Sequence, residues 1–196
     1  MKKTLLCLFA VSMMAFGTSA KAQSFEEGMN NVSLGIGFPN IYKSIYDIYE
    51  FNTGYTSSGF GPLNIKYEHA LTDQIGLGAS FSFLTYKNAW DYGSGFEEGY
   101  KGSLFALLVR GNYHFATGDK LDPYVGIGVG YMGLNFEYYN EDPDYVDSGY
   151  SFDFGSPFGY SGSIGARYYF TDMLGAYAEL GWDGLALMQI GLTANF

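Results

Sequence analysis

Cysteine is almost absent from this sequence: the single one, Cys7, lies in an apolar run near the start of the chain. If that run is removed on export, no thiol remains, which excludes a disulfide framework and any sulfur-ligated metal centre. Leu6 stands before Cys7 where a lipidation signal has a small residue, so lipid attachment is not expected. Positive charge is scarce as well, with 10 Lys and Arg against 20 Asp and Glu. Binding to a phosphate backbone needs clusters of Lys and Arg, so nucleic acid is not a partner. Long hydrophobic runs are missing too. No segment reaches the ~20 apolar residues that a membrane-spanning helix requires.

What is present begins with a leader. Lys2 and Lys3 precede an apolar run over residues 5–16, and Ala20-Lys21-Ala22 supplies the small-x-small pattern cut by signal peptidase. Residues 1–22 therefore read as a signal peptide, with Gln23 the first mature residue and residues 23–196 a single unit. Loss of Lys2, Lys3 and Lys21 leaves seven basic residues against 20 acids, a net charge of about −13. The chain carries 19 Tyr, 17 Phe and 28 Gly. Abundant aromatics and glycines without helical apolar runs point to an all-β protein.

Period-two alternation confirms that direction from residue 31 to the end. Eight strands are predicted, over residues 32–38, 63–70, 75–86, 102–115, 124–134, 158–170, 174–182 and 185–196. In the first, Val32, Leu34, Ile36 and Phe38 oppose Ser33, Gly35 and Gly37; in the fifth, Val125, Ile127 and Val129 oppose Gly126, Gly128 and Gly130. Their lengths suit a tilted strand crossing a bilayer in ~9 to 11 residues. Short connections (71–74, 116–122 and 171–173) alternate with long ones (39–62, 87–101 and 135–157), and Asp183-Gly184 marks a tight hairpin turn. Such alternation is the pattern of outer-membrane barrels, with short turns in the periplasm and long loops outside. A soluble sandwich would expose Gly and Ser faces, a costly arrangement with nothing to pack. In a barrel those small residues line a narrow lumen.

Specific stretches support the same architecture. The terminal Gln189-Ile190-Gly191-Leu192-Thr193-Ala194-Asn195-Phe196 resembles the assembly signal of outer-membrane proteins, with Gln189, Gly191 and the terminal aromatic Phe196 in place; Ala194 stands where an aromatic is usual. Pro123 to Tyr131 (PYVGIGVGY) and Ala166 to Asp172 (ARYYFTD) are similar to segments of small barrels of the OmpA and OmpX type. Over residues 32–196 the resemblance implies an eight-stranded antiparallel transmembrane barrel in the cell outer membrane, with periplasmic termini and long outer loops. It implies contact with outer-membrane lipids, lipopolysaccharide and the barrel-assembly machinery.

Five charged residues, Lys66, Glu68, Arg110, Arg167 and Glu179, fall on the lumen-facing parity within about five residues of a short turn, close enough in rise to share a layer. An eight-stranded lumen is narrow, so a charge-paired plug is expected, with a conducting path as the alternative. Enzymatic readings fare poorly. Lipid-deacylating and proteolytic barrels need His near the outer leaflet, whereas His69 and His114 lie beside short turns. No catalytic, cofactor or metal residues are expected. Gly126-x-Gly128-x-Gly130 lies within a strand and is no dinucleotide fingerprint. Glu141, Asp142, Asp144, Asp147 and Asp153 offer hard oxygens for Ca²⁺ but lack EF-hand spacing, and read as a solvated acidic loop with a calcium site as the alternative. Tyr42, Tyr46 and Tyr49, with Ile41, Ile45 and Ile48, read as strand extension above the bilayer, with a short amphipathic helix or a contact surface as the alternative. Two functions remain: a structural or surface-interaction barrel meeting an extracellular partner through acidic, Tyr-rich loops, or a narrow channel or transporter for small or apolar solutes.

Overall fold

The computed structural model describes residues 24–40, 44, 54–91, 93, 95–115, 118–145 and 151–196. The leader, its cleavage site at Ala20 and Ala22, and Ile41, Tyr42, Ile45, Tyr46, Ile48 and Tyr49 lie outside these residues. Eight strands follow in chain order: β1 (Asn30–Phe38), β2 (Tyr55–Ala70), β3 (Ile75–Trp90), β4 (Glu98–His114), β5 (Leu121–Asn140), β6 (Ser151–Tyr169), β7 (Leu174–Trp182) and β8 (Met188–Asn195). Each pairs antiparallel with its neighbours, and β8 returns to β1 from Asn31↔Asn195 to Phe38↔Met188, closing the barrel. Closure pairs all eight strands around the wall they share, leaving no open edge there, the condition for a sheet to cross a membrane. No helix among the described residues is long and apolar enough to do so.

The alternation carries through to the two faces. Leu34, Ile36, Ile65, Leu77, Leu107, Val109, Ile127 and Val129 project outward, Ile127 at 74% exposure and Val129 at 69%. Their strand neighbours Ser33, Asn64, Lys66, Ser80 and Arg110 are buried in the lumen. A continuous belt of exposed branched and aromatic side chains is stable only against lipid. Along β4 it runs from Tyr113 to Phe105, with Phe115 just beyond the strand. Ten residues of rise at ~3.3 Å and a tilt of ~40° make about 25 Å, the height of such a band.

Strand lengths depart from expectation. β2 to β6 span 16, 16, 17, 20 and 19 residues, whereas β1 and β7 have 9 and β8 has 8. Much of the expected long loops 39–62, 87–101 and 135–157 is thus paired strand, as in Lys87↔Lys101 through Trp90↔Glu98. Above the belt neither face is uniformly apolar, so the two-residue signal fades while the hydrogen-bond ladder continues. The rim is therefore tall over β2–β6 and low over β7, β8 and β1. A register shift between Phe60 and Leu63 surrounds Gly61, whose φ of 86° is left-handed.

The expected hairpin at Asp183-Gly184 is also corrected. Asp183 Oδ1 accepts the backbone N–H groups of Leu185 (2.9 Å) and Ala186 (2.6 Å), and Gly184 takes a φ of 101°. That bends the connection into the barrel, leaving Leu185 and Ala186 fully buried, and β8 starts only at Met188. A two-residue turn followed by strand would have put these two side chains on opposite faces, only one of them inward.

Candidate functional site: a lumen filled in layers

Lumen contents follow from which residues share the inward parity at each height. Nearest the chain ends, Asn31 Nδ2 donates to Thr193 Oγ1 and Asn195 Oδ1, both at 2.7 Å, and Tyr169 OH donates to Asn195 Oδ1 at 2.8 Å. The first described residues close this mouth. Ser24 Oγ donates to Gly118 O (2.6 Å), Asn195 Nδ2 donates to Ser24 O (3.2 Å), and the buried Phe25 ring stacks on His114 with centroids 3.5 Å apart.

Above it lie the five charged residues singled out in the sequence, all buried and arranged in two adjoining groups. In the first, the Glu179 carboxylate receives Lys66 Nζ at 2.6 Å, Arg110 Nη2 at 3.1 Å, Arg110 Nη1 at 3.3 Å and Tyr124 OH at 2.8 Å. In the second, Glu68 receives Arg167 Nη2 and, at 2.8 Å, Asn112 Nδ2. Arg167 also reaches Asp122 Oδ2 at 3.2 Å. His114 joins these two acids: Nε2 lies 2.9 Å from Glu68 Oε1 and Nδ1 lies 2.6 Å from Asp122 Oδ1. Carboxylates only accept, so a ring protonated on both nitrogens serves both contacts. Lys66 and Arg167 further rest on the Tyr177 and Tyr124 rings, at 4.6 and 4.7 Å.

Five residues are therefore not the whole network. Parity read from the sequence places three cations against two anions; Asp122 supplies a third anion, and His114, Tyr124 and Asn112 complete the hydrogen bonds. Asp122 falls at the end of the expected 116–122 turn, and its parity with Tyr124 and Gly126 is the signal that points it inward. Room for these groups comes from glycine. A Cβ at Gly165 would sit 2.7 Å from Glu179 Cγ, and one at Gly128 would sit 3.0 Å from Arg110 Cγ. Both would be tighter than van der Waals contact allows.

Polar residues do not fill the rest. Next comes a ring in which Ser82 Oγ donates to Asn64 Oδ1 (2.5 Å) and Gln189 Nε2 donates to Asp183 Oδ2. Beyond it Leu84, Tyr86, Leu104, Ala106, Leu108 and Leu185 form a buried apolar cluster with Met132, Leu134 and Phe136 against it. The lumen thus holds an apolar layer beside the expected charge-paired one. Leu104 and Leu108 alternate with the lipid-facing Phe105 and Leu107, so both faces of β4 are apolar there and hydropathy cannot tell them apart.

The remaining singled-out residues are scattered. Gln189 faces inward and is buried, Gly191 pairs with Gly35, and Phe196 is exposed while its backbone bonds reciprocally with Asn30 at 3.0 Å. His69 Nδ1 contacts Asn30 Oδ1 at 3.1 Å, also at the end carrying both termini. Asp142 Oδ1 accepts the N–H of Asp144 in a local turn. Asp147 lies outside the described residues. Among the described residues no group of three or more His, Cys, Asp or Glu is placed to hold a metal ion.

A family model described as the outer membrane protein beta-barrel domain matches residues 8–182. No curated protein matches the sequence. Among solved structures, the N-terminal β-barrel domain of Pseudomonas aeruginosa OprF is similar at 19% identity, covering 87% of this chain and 98% of that one, with a TM-score of 0.43. Ail, the attachment invasion locus protein of Yersinia pestis, is similar at 12% identity, covering 87% and 99%, with a TM-score of 0.44. OprG of P. aeruginosa is similar at 12% identity, covering 88% and 97%, with a TM-score of 0.43.

Proposed function

Because the chain belongs to the outer membrane protein β-barrel domain family, a family of the Gram-negative outer membrane, we propose that it acts there as a closed, non-enzymatic barrel. Its role in this reading is structural or surface-interacting, with both termini in the periplasm and the tall β2–β6 rim outside. The observation that carries the reading is the double seal of the lumen. A paired ionic network fills one half, and a cluster including Leu84, Leu104, Leu108 and Leu185 fills the other. A solute would have to displace both. Opening the ionic half strands buried charges, and opening the apolar half wets leucine surface.

The outer rim fits display. Trp90, Tyr100, Phe136 and Tyr138 form a run of ring contacts 5.0 to 5.8 Å apart, beside Glu98, which accepts from Tyr138 OH at 2.8 Å. Aromatic side chains clustered at a rim suit recognition of an extracellular macromolecule. The test is conductance in planar bilayers. The sealed barrel gives no reproducible steps, whereas steady unitary conductance from wild-type protein would sink this reading and favour transport of small solutes.

A further inference from the structure

The barrel mouth nearest the chain ends is crossed by a strap. Residues 24–29 run from the turn between β4 and β5 to the start of β1, on the opposite side of the eight-strand ring. Near β1, Gly28 N–H donates to Ala70 O at 2.9 Å and Glu27 N–H donates to Asp73 Oδ1 at 3.0 Å. At the far end, Ser24 N–H and Ser24 Oγ both donate to Gly118 O, at 3.1 and 2.6 Å. Chain ends fray unless something ties them down. Yet Ser24 and Phe25, the outermost described residues, are each only 3% exposed.

Just beyond Ser24 lies a small polar pocket of about 140 Å³, lined by Ser24, Asp119, Lys120, Thr171, Asp172 and Asn195. The Asp119, Lys120 and Asp172 side chains make no ion pair among the described residues. Two carboxylates against one lysine leave the pocket with one negative charge in excess. Cleavage after Ala22, as the sequence suggests, makes Gln23 the first residue and gives it a free ammonium. Bond lengths alone keep that nitrogen within about 4 Å of Ser24 N. Ser24 is itself fixed on both sides, its N–H by Gly118 O and its C=O by Asn195 Nδ2 at 3.2 Å. An ammonium tethered so closely stays beside the pocket, where the excess negative charge favours its protonated form.

We infer that Asp119 and Asp172 form a capture site for the α-ammonium of the mature chain, so that removal of the leader completes the strap across the barrel mouth. Hydrolysis of the Ala22–Gln23 amide adds one water, leaves a carboxylate on Ala22 and an amine on Gln23, and the amine takes up a proton. In the precursor the same nitrogen is an uncharged amide with a single hydrogen to donate. After cleavage it offers three charge-assisted donors to two carboxylates. The inference goes beyond the sealed-barrel reading and rests on cleavage after Ala22.

The measurement is the rate at which the α-amine of refolded mature protein is acetylated, read on the amino-terminal peptide by mass spectrometry. A free α-amine titrates at about 7.7 to 8.0; capture raises this by about one unit, so acetylation at neutral pH slows about tenfold. Gln23→Ala, which keeps the amine and cannot cyclise, reacts equally slowly. Asp119→Asn with Asp172→Asn restores the ordinary rate, whereas Glu137→Gln at the other rim leaves the amine slow. A chain that retains Lys21 and Ala22 ahead of Gln23 reacts at the ordinary rate, because its ammonium is displaced by two residues. Hydrogen exchange at the Ser24 and Phe25 amides quickens about tenfold in the double Asn variant, the same coupling seen from the strap. Equal acetylation of wild type and the double Asn variant overturns the capture site. So does a Gln23 found cyclised in protein from outer membranes, since no ammonium then exists. Heat-modifiable migration verifies that each variant is folded. The start of the cell-derived chain is read separately: a different first residue sinks the leader reading, and an unshifted amine on the refolded chain sinks only the capture site.

Discussion

Replacing Glu179 by Ala is the sharpest test of the ionic layer, because one carboxylate there serves three partners. Lys66, Arg110 and Tyr124 all donate to it, and it is buried with its two cations. Removing it leaves two cations in the lumen with no carboxylate in hydrogen-bond contact, since Glu68 and Asp122 are held by Arg167 and His114 and Asp183 accepts from Gln189 and two backbone N–H groups. Breaking a buried pair by deleting one member costs about 3 to 5 kcal/mol. With a urea slope of about 2 kcal/mol/M, the unfolding midpoint falls by about 1.5 to 2.5 M. Arg110→Ala should cost less, because Lys66 still neutralises Glu179. Glu97→Ala, which removes the partner of an exposed lysine, should shift the midpoint by at most about 0.5 M. The assay is urea unfolding in lipid vesicles, followed by Trp90 and Trp182 fluorescence and by gel mobility. Equal shifts for Glu179→Ala and Glu97→Ala would refute the claim that the network holds the barrel together. A triple replacement of Lys66, Arg110 and Glu179 by Met should recover much of the loss, since no stranded charge remains.

Two further outcomes concern targeting and orientation. Peptide mass analysis of the protein from outer membranes should find an amino terminus at Gln23, one residue before the Ser24 that is tied into the barrel mouth; a retained Met1 would contradict the export argument. Epitope tags at Gly95 or Asp144, in connections of the tall rim, should be labelled on intact cells, while a tag at Gly118, between β4 and β5, should be labelled only after permeabilisation. The reverse pattern would invert the barrel.

Much of this protein is legible from pattern alone, because a strand has a period of two and a narrow barrel has only two sides. Parity is enough to place Val32, Leu34 and Ile127 against lipid and Lys66, Arg110 and Glu179 inside, and β7 has the predicted bounds, residues 174–182. Parity has no information about height in a different strand. Glu68 meets Arg167 across 99 residues of sequence, and Lys66 meets Glu179 across 113, because strand stagger and closure bring them to one level. Nor does parity separate lipid from lumen where both faces are apolar, which is why the Leu84, Leu104 and Leu108 layer emerges only in three dimensions. Asp183 bends its turn into that layer because its carboxylate captures two backbone N–H groups and Leu185 finds an apolar space to fill. The sequence by itself determined the barrel, its faces and the charged character of its lumen. Which charges pair, and what seals the other half, were decided by the tertiary structure, since both depend on distances across a closed wall that no local pattern records.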